Sequence, residues 1–316
     1  MVRVGAVGHR GTIYDAMANA VLGGRYRARV TTPRAPRRPS DVTTADSRWL
    51  AWHEARSHGL AGREVRLLGD AVLLHDPADR EPFWNRIAGI AWPAAPDAFD
   101  RRLAEVLALF AGLDRIPHVW PAPGFDEPAD LVERLIGHGF EDHGAGLMMV
   151  VDAARFGAAA PTIVRARRSP PRVEVSHIQR PADAAAAARE VGLVLVEAFS
   201  VEADRRAQIQ AETEVLFGLP EVHVCLVRID GEPAAVVRRS TFDGGSYLSS
   251  IGTRPEFRGM GLGRLVTELA VRESLDASSD WIYLGVFADN LVARRMYEDL
   301  GFAVVGGRSP DLLLRR

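Results

Sequence analysis

Arg258-Gly259-Met260-Gly261-Leu262-Gly263 stands between an apolar run, Ser246 to Thr253, and a long amphipathic pattern that continues the chain. Its three glycines let backbone N–H groups crowd around one ligand, and a helix starting there turns its positive end toward that ligand. The loop therefore reads as an anion site fitted to a pyrophosphate. A bland tight turn would account for the glycines alone, so the flanks decide. Ser246 to Thr253 is rich in β-branched and aromatic residues, as a strand is, and Pro255 stops it before the loop. Leu262, Val266, Leu269, Ala270 and Val271 recur at helical spacing, which puts Gly261 and Gly263 in the first turn. A second strand is predicted over Trp281 to Phe287, leading into Ala288-Asp289-Asn290 and a helix through Val292, Met296 and Tyr297. Gly301 ends that helix, and Phe302 to Val305 opens a further strand.

This order resembles the GNAT superfamily of acyl-CoA-dependent N-acetyltransferases. The stretch from Arg258 to Gly263 matches the family's Arg/Gln-x-x-Gly-x-Gly/Ala loop, and Asn290 to Phe302 matches its second motif. A Rossmann dinucleotide site requires Gly-x-Gly-x-x-Gly directly after a strand and an acidic residue about 20 positions on, and the spacing here differs. The resemblance implies an α/β (α+β) fold with a mixed, mostly antiparallel central sheet flanked by helices. It also implies acetyl-CoA as cosubstrate, with no metal. The segment Ile251-Gly252-Thr253, through the backbone of Ile251 and Thr253, would hold the pantetheine arm. The amides of Gly259, Met260, Gly261, Leu262, Gly263 and Arg264 would hold the pyrophosphate, with the Arg258 side chain adding charge-assisted contacts. Asn290 would face the cofactor near the pantetheine. Tyr297 takes the position of a general acid that protonates the leaving thiolate, although packing against the cofactor would also explain it.

The general base is harder to find. Many family members place a carboxylate on the strand before the loop, whereas Tyr247-Leu248-Ser249-Ser250-Ile251 offers only hydroxyls. Glu197, Glu212, Glu214, Asp243 and His223 are candidates from other segments, and a water chain would serve equally. The expected chemistry is direct attack of a neutral amine on the thioester, without a covalent enzyme intermediate. Cys225, the single cysteine, shares a strand face with His223 in the run Val222 to Val227, and reads as a small core residue rather than an activated thiol.

At 316 residues, 47% of them hydrophobic, the chain is long enough for two cores. No run approaches the ~18–20 apolar residues of a membrane span, and the start lacks a signal peptide's apolar core. One cysteine allows no internal disulfide framework, so a cytoplasmic protein is expected. A net charge of −2 gives no global attraction to nucleic acid. Every basic residue counted is arginine, since the sequence contains no lysine, and Schiff-base chemistry is thereby excluded. The expected partner is a small-molecule or peptide amine acceptor, with no nucleic acid and no membrane, and the protein is expected to be a monomer or homodimer.

Residues 1–45 carry Arg25, Arg27, Arg29, Arg34, Arg37 and Arg38 among Thr and Pro, and are expected to form a flexible arm. Over residues 46–155 the catalytic order recurs. Leu131 to Phe140 parallels Ala293 to Phe302, and the same offset aligns Asn85 to Trp92 with the strand ending at Thr253 and Phe99 to Phe110 with the helix after Gly261. In that copy Pro96 stands for Arg258, Phe99 for Gly261, Arg101 for Gly263, Pro128 for Asn290 and Leu135 for Tyr297, so the CoA loop is lost. The first half reads as a degenerate GNAT-like lobe that covers the catalytic one or helps wall its acceptor pocket. Residues 156–172 are a linker and 173–316 the catalytic domain. The cluster His138, Glu141, Asp142 and His143 reads as a solvated turn rather than zinc ligands. The alternative function is a CoA-binding regulatory pseudoenzyme or an interaction protein.

Overall fold

Thr43 starts the first helix, α1 (Thr44–Gly59): its side chain accepts the Asp46 N–H while Asp46 accepts the Thr43 N–H. The computed structural model describes residues 36–159, 162, 164–165 and 171–315. Residues 1–35 of the expected arm lie outside the described residues, as do 160, 161, 163 and 166–170 of the linker. Residues 36–45, assigned by composition to the arm, are packed instead. The Arg37 N–H donates to the Asp280 carbonyl at 2.8 Å, its guanidinium donates to Asp46 at 2.7 Å, and it lies 5.3 Å from the Trp281 ring centroid. Asp280 and Trp281 lie far along the chain, where local composition cannot register them.

After α1 come β1 (Glu64–Leu67), β2 (Val72–His75), β3 (Arg86–Ala88), α2 (Pro96–Gly112), β4 (His118–Val119), α3 (Leu131–Gly137), β5 (Glu141–Val151) and α4 (Ala153–Ala158). The second half runs β6 (Val173–Ile178), α5 (Ala184–Ala198), α6 (Arg206–Phe217), β7 (Val222–Ile229), β8 (Glu232–Phe242) and β9 (Gly245–Thr253). It closes with α7 (Leu262–Asp276), β10 (Trp281–Phe287), α8 (Leu291–Asp299) and β11 (Phe302–Leu313). The strand expected over Asn85 to Trp92 shrinks to three residues because Gly89, at φ +63°, breaks it.

All eleven described strands join one sheet in the order β1-β2-β3-β4-β11-β5-β10-β9-β8-β7-β6. Pairing is antiparallel except at β3/β4 and β9/β10, which occupy matching places in the two halves. At the centre the halves exchange strands. β5 lies between β10 and β11, and β11 lies between β4 and β5. Core packing follows the exchange, since Phe302 of β11 is buried under α7 and α8 whereas Leu312 of the same strand is buried with Phe99 and Leu135 of the first half. α1 also crosses the halves: Trp49, Leu50 and Trp52 pack with Tyr247, Trp281 and Tyr283. Gly245 permits this, because a Cβ there would meet Trp49 at 2.6 Å.

Candidate active site

β9 and β10 pair only from Gly245/Trp281 to Leu248/Leu284. Beyond that point β10 pairs with β5 and β9 with β8, so a gap opens between Ser249–Thr253 and Gly285–Phe287. The β8/β9 register shifts between Val236 and Arg238, and Ser250 sits at φ +53°, a bulge that bends the edge of the gap away. A cavity of about 240 Å³ follows this gap, with Ser250, Ile251, Val286, Asn290 and Tyr297 among its walls. Gly252 could not carry a side chain unaided: a Cβ there would lie 2.9 Å from the Ala198 Cβ.

At the end of the gap stands the glycine loop. Gly259 and Gly261 take φ +81° and +84°, and Gly261 is the N-cap of α7. Met260 and Leu262 are buried in the core beneath, pinning the loop from below. The Leu265 N–H is bonded to Gly261 O at 3.0 Å, so the amides of Leu262, Gly263 and Arg264 belong to the turn that a helix leaves without internal acceptors. The Arg258 guanidinium donates to Ala198 O at 2.8 Å and to Thr253 O at 3.3 Å, tying the end of α5 to the loop. Asn290 caps α8, its Oδ1 accepting the Ala293 N–H at 3.2 Å. Tyr297 is buried with its ring 5.8 Å from that of Phe302, and burial raises its pKa, so the phenol is protonated at neutral pH.

The other wall of the same cavity comes from the first half: Ser47, Ala51 and Glu54 of α1, together with Phe83, Trp120 and Pro121. Glu54 accepts from Arg86 at 2.9 Å and from the Tyr247 hydroxyl at 3.4 Å, and His58 lies 3.5 Å away. Burial alone would push its pKa up; the Arg86 charge and the contacts to His58 and Tyr247 outweigh that and hold it at about 2. Burial pushes His58 down to about 4. Arg86 in turn lies 4.3 Å from the Phe83 ring centroid and 4.9 Å from that of Trp120. Trp120 presses on Gly146, where a Cβ would come within 2.5 Å of the indole.

None of the carboxylates or the histidine considered as bases lines this cavity. Glu197 is paired with Arg254, Glu212 with Arg63 and Asp243 with Arg56, each at 2.8 Å; Glu214 is exposed; His223 faces Gln179 at 3.2 Å. Cys225 is buried and its thiol is pushed up to about 12, chiefly by burial, which leaves it protonated. At the His138–His143 turn, His138 pairs with Asp100 and Asp142 with Arg308. Among the described residues no three His, Cys, Asp or Glu side chains group as a metal site, and no described helix is long and apolar enough to cross a membrane.

The family model for the acetyltransferase (GNAT) family matches residues 192–302, which contain the splayed strands, the glycine loop, Asn290 and Tyr297. Residues 192–302 are a GNAT-family domain. Within this chain, 75 residues are 41% identical to the mycothiol acetyltransferase of Nocardiopsis dassonvillei, a match spanning 24% of this chain and 19% of that protein. In fold, the chain is similar to a GCN5-related N-acetyltransferase from Kribbella flavida, with TM-score 0.60 and 20% identity over 85% of this chain and 96% of that one. A tandem GNAT protein from the clavulanic acid biosynthesis pathway superposes with TM-score 0.57 at 12% identity, covering 98% of this chain and 95% of that one. The fold is thus mixed α/β, with a mostly antiparallel sheet flanked by helices, similar to that of a tandem GNAT protein. Sequence reading expected the first half to help wall the pocket without pointing to Glu54 or Phe83. Glu54 sits on a helix whose other charges, Asp46, Arg48 and Arg56, are held in ion pairs with Arg37, Glu127 and Asp243.

Proposed function

We propose that the cavity is the active site of an N-acyltransferase that moves an acetyl group from acetyl-CoA to a primary amine by direct attack. The observation that carries this reading is one continuous cavity bounded by the splayed β9/β10 edge, Asn290 and Tyr297 on one side and by Glu54, Phe83 and Trp120 on the other. The residues suit the donor: an open strand edge at Ile251–Thr253 for an amide-bearing arm, and left-handed glycines with first-turn amides for a diphosphate. Transfer makes one N–C bond and breaks one C–S bond. The attacking amine must be neutral, and its proton leaves to water, since among the described residues the cavity is bordered by no carboxylate other than Glu54, which is too weak a base. Tyr297, kept protonated by burial, returns a proton to the departing thiolate. Arg258 is assigned a structural part beside its charge: through Ala198 O and Thr253 O it fixes the loop against α5.

The test is calorimetric titration of acetyl-CoA into wild type and Gly261→Arg, followed by thiol release with a panel of amines. Binding in wild type that vanishes in the variant, together with thiol release, is expected. Acetyl-CoA binding with no amine acylated would favour a CoA-binding regulatory protein, and no binding at all would remove the transferase reading.

A further inference from the structure

We propose that Glu54 Oε2 anchors a cationic group of the acceptor other than the nitrogen that attacks, so that the preferred acceptors are small amines with a second positive charge. The inference rests on the acyl-transfer reading for which nitrogen reacts, but the anchor itself rests on geometry. Glu54 reaches the cavity from α1, and its side chain is 22% exposed. Its hydrogen bonds and close ion contacts with described residues all fall on Oε1: Arg86 at 2.9 Å, Tyr247 at 3.4 Å and His58 at 3.5 Å. Oε2 has no hydrogen-bond or ion-pair partner among the described residues. That oxygen is reached by solvent, and Glu54 borders the cavity beside Ala51, Phe83 and Trp120, so a donor on a molecule bound there can take it.

The charge state selects the kind of donor. Glu54 is held ionised far below neutral pH, so it attracts a cation and is a poor acceptor of the amine's proton. Anchoring the attacking nitrogen would raise that nitrogen's own pKa and keep it protonated, which opposes attack. The held cation is therefore a different group on the same molecule. Arg86 offsets part of that charge while also meeting the Phe83 carbonyl and the faces of Phe83 and Trp120, so a charge-assisted hydrogen bond at Oε2, rather than a net negative field, supplies the pull. Ser47, which lines the same cavity, offers a hydroxyl oxygen to the remaining ammonium protons.

Diaminobutane carrying an amine at each end and n-butylamine, which differ by one ammonium, are titrated calorimetrically into wild type, Glu54→Gln and the double variant Glu54→Gln/Arg86→Gln. The double variant retains a neutral hydrogen-bonding pair and leaves no orphan Arg86 charge, so it remains informative where the single variant unfolds. Wild type is expected to bind the diamine about tenfold or more tighter than the monoamine, the scale of one charge-assisted hydrogen bond, with the preference gone in the folded variants. Equal affinities in wild type, absence of binding by either amine, or a preference that survives both variants would overturn the anchor. Thiol release from acetyl-CoA is read separately: diamine selectivity through Glu54 with no thiol released would sink the transfer reading while leaving the anchor standing.

Discussion

Tyr297 and His53 show how burial sets the chemistry of single residues. Tyr297→Phe removes only the hydroxyl from a ring that packs in the core. As a proton donor to the thiolate, Tyr297 predicts a fall in kcat of about a hundredfold with acetyl-CoA affinity within about twofold of wild type, measured by steady-state kinetics and calorimetry; an unchanged kcat would reduce Tyr297 to packing. His53 makes a prediction about stability. Its Nδ1 lies 2.7 Å from the Tyr283 hydroxyl and its Nε2 3.1 Å from the Phe242 carbonyl, partners that suit a neutral ring donating from Nε2 and accepting at Nδ1. Burial lowers its pKa from 6.5 to about 3. Between those values the unfolded state binds the proton and the folded state does not, so stability falls as pH drops from 6.5 toward 3. His58 acts in the same direction down to about 4, and Glu54, depressed from 4.5 to about 2, continues the loss at lower pH. Thermal melts from pH 7 to 4 should therefore show a steady decline. His53→Gln should be less stable at pH 7 by about 1–2 kcal/mol yet decline less steeply, and a slope equal to that of wild type would place the proton uptake elsewhere.

At the level of elements, the start of α7 separates two glycines that look alike in sequence. Gly261 holds φ +84°, whereas Gly263 lies inside the helix with room for a Cβ at 3.5 Å from the Thr253 hydroxyl and 3.6 Å from the Met296 sulfur. Gly261→Ala should cost about 1–2 kcal/mol and weaken acetyl-CoA binding by shifting the first-turn amides, while Gly263→Ala should leave the melting temperature unchanged or slightly raised. Equal effects in melts and titrations would mean that the loop conformation does not govern the site. The loop, the strands around it and α8 were legible because hydrophobic periodicity, glycine placement and Asn290 are local signals. The short β3 was overextended, since nothing in Asn85 to Trp92 announces that Gly89 turns away. Glu54 was not legible at all: its partners Arg86 and Tyr247 lie in other elements, one of them 193 positions away, and a lone Glu on a helix reads as solvated. The exchange of β5 and β11 was equally hidden, because two similar strands offer similar apolar faces and sequence does not say which half each will join.

For the whole molecule that exchange has a consequence for how the chain can be divided. The linker position between residues 165 and 171 looks like a boundary between a first half and a GNAT-bearing second half, but the sheet does not respect it. Cutting there leaves the second half with β11 deprived of both its neighbours, β4 and β5, and β10 deprived of its antiparallel partner. β5 alone buries Leu147, Met149, Val150 and Val151. At about 1.5–3 kcal/mol for each such side chain, their loss is comparable with the entire stability of a typical domain, about 5–15 kcal/mol. Residues 171–316 expressed alone should therefore be insoluble or unfolded, and residues 1–165 should fail in the same way for want of β11. Expressed together, the two pieces should co-purify and recover acetyl-CoA binding, because each again supplies the strand the other lacks. The competing outcome is that β11 of the isolated second half swings into the place of β5 beside β10, which its similar apolar pattern permits. A soluble, monomeric fragment 171–316 that binds acetyl-CoA with the affinity of the whole chain would establish that rearrangement, and the exchange would then be a preference of the joined halves rather than a requirement of the fold.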